Sequence, residues 1–327
     1  MTAAAGTGDP QTWNMQTSLP LMSSFVAGEE LAAMADARDD IIVLTADLMT
    51  SNRMSDFAAR HPGRFVDMGI AEQNMTSVAA GLAACGYTPY IATFASFIAL
   101  LCAEQIRTDL AYPQLPVRIL AHHAGISLGF YGTSHHATED IAIMRSIEQM
   151  TVVSAADAAA TRAVLRSTAD HPGPVYVRLG RGREKTVYQR PPALTRGRFV
   201  TVRDGRDVTV IATGITVAAA VEAAQVLAGA GVDVRVLDAV YLKPFDTDAV
   251  LDAARQTQGI LTVEEHTVLG GLGGAVAEVL AEAGIRTRFR RHGLGEDYAL
   301  IAPPTHLWRH YGLSAEGIVR QLCGLLG

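Results

Sequence analysis

The sequence is sparing with cysteine, charge and aromatic residues. Its three cysteines, Cys85, Cys102 and Cys323, form no CxxC pair in 327 residues. That excludes a disulfide framework and suits buried thiols in a reducing, cytoplasmic setting. Charged residues make up only 18% and the net charge is −6. With no basic excess, nothing suggests that the chain holds nucleic acid or an anionic membrane. The most apolar stretch, Tyr90 to Ala103, is too short to span a bilayer and carries Thr93 and Ser96. The N-terminus has neither a basic n-region nor an apolar h-region, so no signal peptide is expected. The Gly-rich phosphate loop ending in Gly-Lys-Ser/Thr, the zinc-protease HExxH and the hydrolase GxSxG are all missing.

What is present is a large apolar fraction, 49%, with 30 glycines, enough to build a core without a metal or disulfide staple. Residues 1–20 are polar, with Pro10 and Pro20, and read as a loose arm. Short apolar runs then alternate with helical patterns. Ile41 to Ala46, Tyr90 to Phe94, Val117 to Ala121, Thr151 to Ser154 and Val175 to Leu179 predict buried strands. Glu72 to Cys85, Ser96 to Ala111, Glu139 to Gln149 and Asp157 to Ala169 predict helices, the last capped by Asp157. Residues 181–198, with Arg181-Gly-Arg-Glu-Lys and Pro191-Pro192, read as a linker. The alternation restarts with strand patterns at Val208 to Ala212, Val234 to Leu237, Gly259 to Val263 and Thr287 to Arg291. Helical patterns at Thr216 to Leu227, Thr247 to Ala254, Gly274 to Ala283 and Ser314 to Leu322 lie between and after them. The expectation is two doubly wound α/β domains, residues 21–180 and 199–327, with functional atoms at the carboxyl ends of the strands.

Four features at such ends invite chemistry. Glu72 opens a helix in Asp67-Met-Gly-Ile-Ala-Glu-Gln-Asn-Met75. It is either an acid favoured by the helix dipole or a carboxylate aimed into an apolar site for proton transfer. Phe94 and Phe97, in Thr93-Phe-Ala-Ser-Phe97, are either core residues or a stacking surface for a flat heteroaromatic ring. The loop from His122 to His136 holds three glycines and two histidine pairs. That spacing matches no common zinc site, and histidines lining a polar pocket are the expectation. Arg178 ends a strand and is either paired with a local carboxylate or holding an anionic substrate group. Gly270-Gly-Leu-Gly-Gly274 misses the spacing of a dinucleotide-binding loop.

Together these segments resemble the transketolase family, specifically its pyrimidine-binding and C-terminal domains, from about residue 20 to the end. The resemblance rests on Ala46-Asp47-Leu with Ser51-Asn52, Gly69-Ile-Ala-Glu-Gln-Asn-Met75, Thr93-Phe-Ala-Ser-Phe97 and the loop from His123 to Glu139. Ala212-Thr-Gly214 and Val263-Glu-Glu-His266 extend it into the second domain.

The resemblance implies thiamine diphosphate as cofactor, with cofactor-binding positions at Asp47, Glu72, Phe94 and Phe97. Glu72 matches the acid that hydrogen-bonds the aminopyrimidine N1′, and the two phenylalanines match aromatics packing on that ring. His123 and His135 match pocket histidines that handle substrate hydroxyls and protons. Ser51 and Arg178 match groups holding a sugar's distal phosphate. Tyr131 stands where the family carries an acid, and no second phosphate-binding arginine stands near Ser24. The family's diphosphate-binding domain, with its Gly-Asp-Gly and a later Asn, has no match here. Magnesium keeps near-octahedral oxygen coordination shared with the diphosphate, so its ligands are expected on a partner and none here. The implied protein is one subunit of a split transketolase, an α2β2 heterotetramer acting on a sugar or sugar phosphate. The competing readings are the beta subunit of a 2-oxoacid dehydrogenase E1, a fragment like deoxyxylulose-phosphate synthase, and a scaffold that kept the fold without activity.

Overall fold

The computed structural model describes residues 23–181 and 184–327, so the polar arm expected over 1–20 lies outside the described residues. Six strands come from the first half: β1 (Ile41–Thr45), β2 (Phe65–Asp67), β3 (Thr88–Phe94), β4 (Arg118–His122), β5 (Thr151–Ser154) and β6 (Val175–Arg178). Six follow: β7 (Val200–Arg203), β8 (Val208–Ala212), β9 (Val234–Asp238), β10 (Tyr241–Lys243), β11 (Gly259–Thr267) and β12 (Arg288–Leu294). The first sheet runs β10-β5-β6-β4-β3-β1-β2 and the second β12-β11-β8-β9-β7. Both are parallel except at one edge, where β10 pairs antiparallel with β5 and β7 with β9. Every residue of β1, β3, β4, β5, β6 and β8 is buried. That is why they read as continuous apolar runs: helices cover both faces of a parallel sheet.

The two-sheet α/β architecture was expected, but several elements were not. β2 and β10 have three residues each, too few to give a periodic signal. β10 also returns from the second half of the chain to the edge of the first sheet. The helix expected over Ser96 to Ala111 is interrupted at Cys102 (φ −107°, ψ 7°), and Ile106–Ala111 is wound as a π-helix. The helix expected over Glu139 to Gln149 is shorter, Asp140–Ser146, because Ile147 is extended.

Two polar devices lock the helix Ala158–Thr168 against its surroundings. Asp157 caps its start, accepting from Ala160 N at 2.8 Å. The other carboxylate oxygen accepts from Val187 N and Tyr188 N at 2.7 and 2.8 Å, which pins the segment between the two halves. At the other end Arg118, a wholly buried cation, donates to the carbonyls of Thr168, Ala169, His171 and Gly173. Thr168 and Ala169 close the helix and His171 and Gly173 lie in the turn after it, where the negative end of the dipole favours a cation.

Tyr188 O–H also donates to Asp238 Oδ2 at 2.8 Å. Burial pushes the Asp238 carboxyl up to about 8, against the opposing Tyr188 hydrogen bond and with help from Asp157's charge. A carboxyl whose folded pKa exceeds its unfolded value contributes stability below about pH 4, and that contribution is lost as pH rises to about 8. Asp238→Asn, which cannot ionise, should therefore gain stability relative to wild type across that window. The gap should reach a few kcal/mol at about 1.4 kcal/mol per unit and level off above it. Urea denaturation between pH 5 and 9 checks this; a gap that does not grow with pH would contradict it.

Candidate active site

The sheet order sets β4, β3 and β1 side by side, so the segments leaving their carboxyl ends converge. Asp47, just past β1, and His123, just past β4, both take left-handed backbone conformations, φ 57° and 61°. Non-glycine residues held that way concentrate where a side chain must be aimed. β3 and β4 pair with Phe94 opposite His122, which brings the next residue, His123, onto the Phe94 ring at a centroid distance of 4.4 Å. Phe97, one turn into the helix Ala95–Leu101, lies 5.5 Å from Phe94 and 5.3 Å from His135. Tyr131 packs on His135 at 4.8 Å. Five residues singled out in the sequence thus form one continuous group of rings. Phe94 and His123 are buried, Phe97 and His135 half-buried, and Tyr131 is exposed at the rim.

The electrostatics of this group are unusual. His123 is held well below the ordinary histidine range, first by burial and then by His122, Arg181, Arg53 and His135. Burial alone lowers His135 and takes His122 down to about 3. Neutral imidazoles each offer one donor and one acceptor, the set needed to bind hydroxyls and pass protons. Several buried polar atoms around them lack a hydrogen-bond partner among the described residues: His123 Nδ1, both ring nitrogens of His122, the Asn52 amide, Thr93 Oγ1 and Ser96 Oγ. Buried polar groups are nearly always satisfied, so such a concentration marks a place built to receive a polar ligand.

The other expected site residues are carried by neighbouring elements. Glu72 begins the helix Glu72–Ala84, is 8% exposed, and lies within electrostatic reach of Cys102, at the far end of the helix that carries Phe97. Asp47 is exposed, and its amide donates to Asp67 Oδ1 at 2.9 Å. Ser51 is half-buried in the same segment. Arg178 is committed to the interior. Its Nε donates to Asp140 Oδ2 at 2.8 Å and its Nη2 to the carbonyl of Glu265 at 2.9 Å, with 4% exposure. Arg178 is thus paired with a carboxylate of the protein, the first of its two readings. The cations that do act on His123 are Arg53 and Arg181. Neither was singled out as a site residue in the sequence, although Arg53 directly follows Ser51-Asn52.

Among the described residues, no group of three or more His, Cys, Asp or Glu side chains is placed to hold a metal, and no helix is long and apolar enough to cross a membrane. The glycine run at 270–274 has an internal purpose. The N–H groups of Leu272 and Gly273 donate to the buried Glu264 carboxylate at 2.7 and 2.8 Å, and a side chain at Gly271 would collide with it. Burial pushes the Glu264 carboxyl up to about 7 despite those donors. The anion at this helix start is the protein's own.

Comparison with known proteins identifies the family. Residues 21–185 match the family model "Transketolase, pyrimidine binding domain", and residues 197–318 match "Transketolase, C-terminal domain". A 6-deoxy-6-sulfo-D-fructose transketolase subunit, SqwH, from a Clostridium species is 39% identical over 89% of this chain and 90% of its own length. One subunit of an apulose-4-phosphate transketolase from Phocaeicola vulgatus is 38% identical over 89% of this chain and 93% of its own length. Among solved structures, a split-gene transketolase described as an inactive beta4 tetramer superposes with a TM-score of 0.87 at 41% identity. That match covers 94% of this chain and 99% of the other.

Proposed function

Because the chain belongs to the transketolase family, we propose that it is the pyrimidine-binding subunit of a split, thiamine-diphosphate-dependent transketolase. The observation that carries this reading is the ring group at the ends of β3 and β4, Phe94, Phe97, His123, Tyr131 and His135. It is surrounded by buried polar atoms that have no partner among the described residues. Thiamine diphosphate fits such a site, since a flat heteroaromatic ring needs aromatic faces and hydrogen-bonding groups together. Bound there, it would supply the carbon nucleophile and electron sink for breaking and remaking a carbon–carbon bond.

The protein's own part is orientation and proton handling. Phe94 and Phe97 would pack on the pyrimidine, and Glu72 Oε would hold a proton at its N1′. His123 and His135, neutral in the pocket, would bind the hydroxyls of a two-carbon ketol unit and carry protons to and from them. Tyr131 gives the rim a ring face and a hydroxyl where the family carries an acid. Arg53 and Arg181 place positive charge toward His123, which suits an anionic donor. Magnesium ligands and the diphosphate cradle would come from a partner subunit, and the working assembly would be α2β2.

Reconstitution tests the reading. The chain should be mixed with a separately made diphosphate-binding subunit encoded beside it, with thiamine diphosphate and magnesium, and offered phosphorylated, sulfonated and unmodified ketoses. Ketol transfer to an aldose is expected from the pair and from neither subunit alone. Turnover by the isolated chain, or none of any donor by the pair, would overturn it.

A further inference from the structure

The loop that carries His123, Tyr131 and His135 is gripped by the second half of the chain. Its two limbs are joined by a backbone pair, Gly125 N to Ala137 O at 3.0 Å and Ala137 N to Gly125 O at 2.9 Å. Against that joint lies the end of β11. Gly125 takes φ +65°, and a Cβ there would stand 2.2 Å from Glu265 Oε2. Only glycine lets the carboxylate come so close. Glu265 Oε1 accepts from Trp308 Nε1 at 2.5 Å, and the same carboxylate accepts from the Ile126 amide. Two residues on, Thr267 N donates to Thr138 O at 2.7 Å, on the returning limb. Toward the tip, Ala302 N donates to Gly129 O at 3.2 Å, and the Leu307 side chain faces Gly129.

Glu265 is 1% exposed, and burying a carboxylate is costly unless it is paired and hydrogen-bonded. Among the described residues it has no salt-bridge partner of its own. It is held by two N–H donors from different elements, with the Arg178 charge nearby. One donor, Ile126, belongs to the loop; the other, Trp308, belongs to the helix Pro304–His310. The arrangement has the form of a strut. We infer that Glu265 is a positioning residue, whose carboxylate ties the substrate loop to the C-terminal domain and so fixes His123, Tyr131 and His135 against the Phe94 and Phe97 rings. Its effect on turnover rests on the proposed function; its effect on the loop does not.

Glu265→Gln keeps the shape but replaces one acceptor oxygen with an N–H donor, so one of the two donors must face another donor. In hydrogen exchange followed by mass spectrometry on the whole chain, peptides over 126–138 should exchange at least ten times faster than in wild type. Peptides from β1 and β3 should be unchanged. In the reconstituted pair, kcat/KM for the ketose donor should fall at least tenfold, since small misplacements of reacting groups are that costly, while affinity for thiamine diphosphate stays within twofold. Trp308→Phe removes the other donor, should act in the same direction, and should add nothing further to Glu265→Gln, because both break one connection. It also carries the test if Glu265→Gln does not fold. Unchanged exchange over 126–138 in the folded variants overturns the strut. So does a kcat/KM within twofold of wild type. If the wild-type pair transfers no ketol unit, the proposed function falls, and the exchange experiment still decides the strut.

Discussion

Replacing Arg178 with alanine is expected to destabilise the chain by about 3–5 kcal/mol, the cost of breaking a buried ion pair from one side. The loss falls first on Asp140. That residue is wholly buried at the start of the helix Asp140–Ser146, and its Oδ2 accepts from Arg178 Nε and from Tyr176 O–H at 2.8 and 2.9 Å. Its Oδ1 has no partner among the described residues. Without the guanidinium, a carboxylate remains in the interior with one phenol for company. The carbonyl of Glu265 also loses its donor. Arg178→Lys should lie between wild type and alanine, because an ammonium keeps the charge and loses the planar fork. Adding Asp140→Asn to Arg178→Met should recover more than half the loss, since no uncompensated charge is then left behind. Urea denaturation of wild type and the four variants, Arg178→Met alone among them, checks the series. If Arg178→Ala costs less than 1 kcal/mol, the ion pair is not holding these elements together.

The same pair explains what could and could not be read along the chain. β1, β3, β4, β5 and β6 were legible because a parallel sheet buries both faces, and an apolar run of four to six residues records that locally. Asp157 was legible because a helix cap satisfies amides only three residues away. The ring group was legible as far as Phe94, Phe97, His123, Tyr131 and His135 belong to two short segments recognisable by their resemblance to a family. Arg178 could be narrowed only to a pair of alternatives. Its partners lie 38 and 87 residues distant, and no local pattern chooses between a carboxylate inside the protein and an anion outside it. Glu264 was hidden for a similar reason. The glycines at 270–274 read only as a dinucleotide loop with the wrong spacing, and the carboxylate they receive comes from an adjoining strand. β10 escaped notice because its place is decided by the edge of β5, in another part of the chain.

Glu72→Gln should separate chemistry from architecture more sharply than any other single change. Glu72 stands at the first position of its helix, where a negative charge contributes about 0.3–1 kcal/mol through the dipole. Among the described residues, no hydrogen-bond donor engages its carboxylate. Thr76 Oγ1 donates instead to its backbone carbonyl at 2.8 Å, a contact that glutamine preserves. Folding stability should therefore fall by no more than about 1 kcal/mol. On the proposed function, ketol transfer by the reconstituted pair would depend on a different property. A carboxylate can hold and release a proton at the pyrimidine N1′, whereas an amide of the same shape cannot, and a lost proton-transfer group typically costs about 10²–10⁴ in rate. The expected result is a kcat lower by that factor, with the denaturation midpoint and association with the partner subunit close to wild type. Glu72→Asp, which keeps the acid on a shorter stem, should retain more activity than Glu72→Gln. Full activity in Glu72→Gln would remove the residue from the reaction and leave it as a helix-start acid, the other role its position allows.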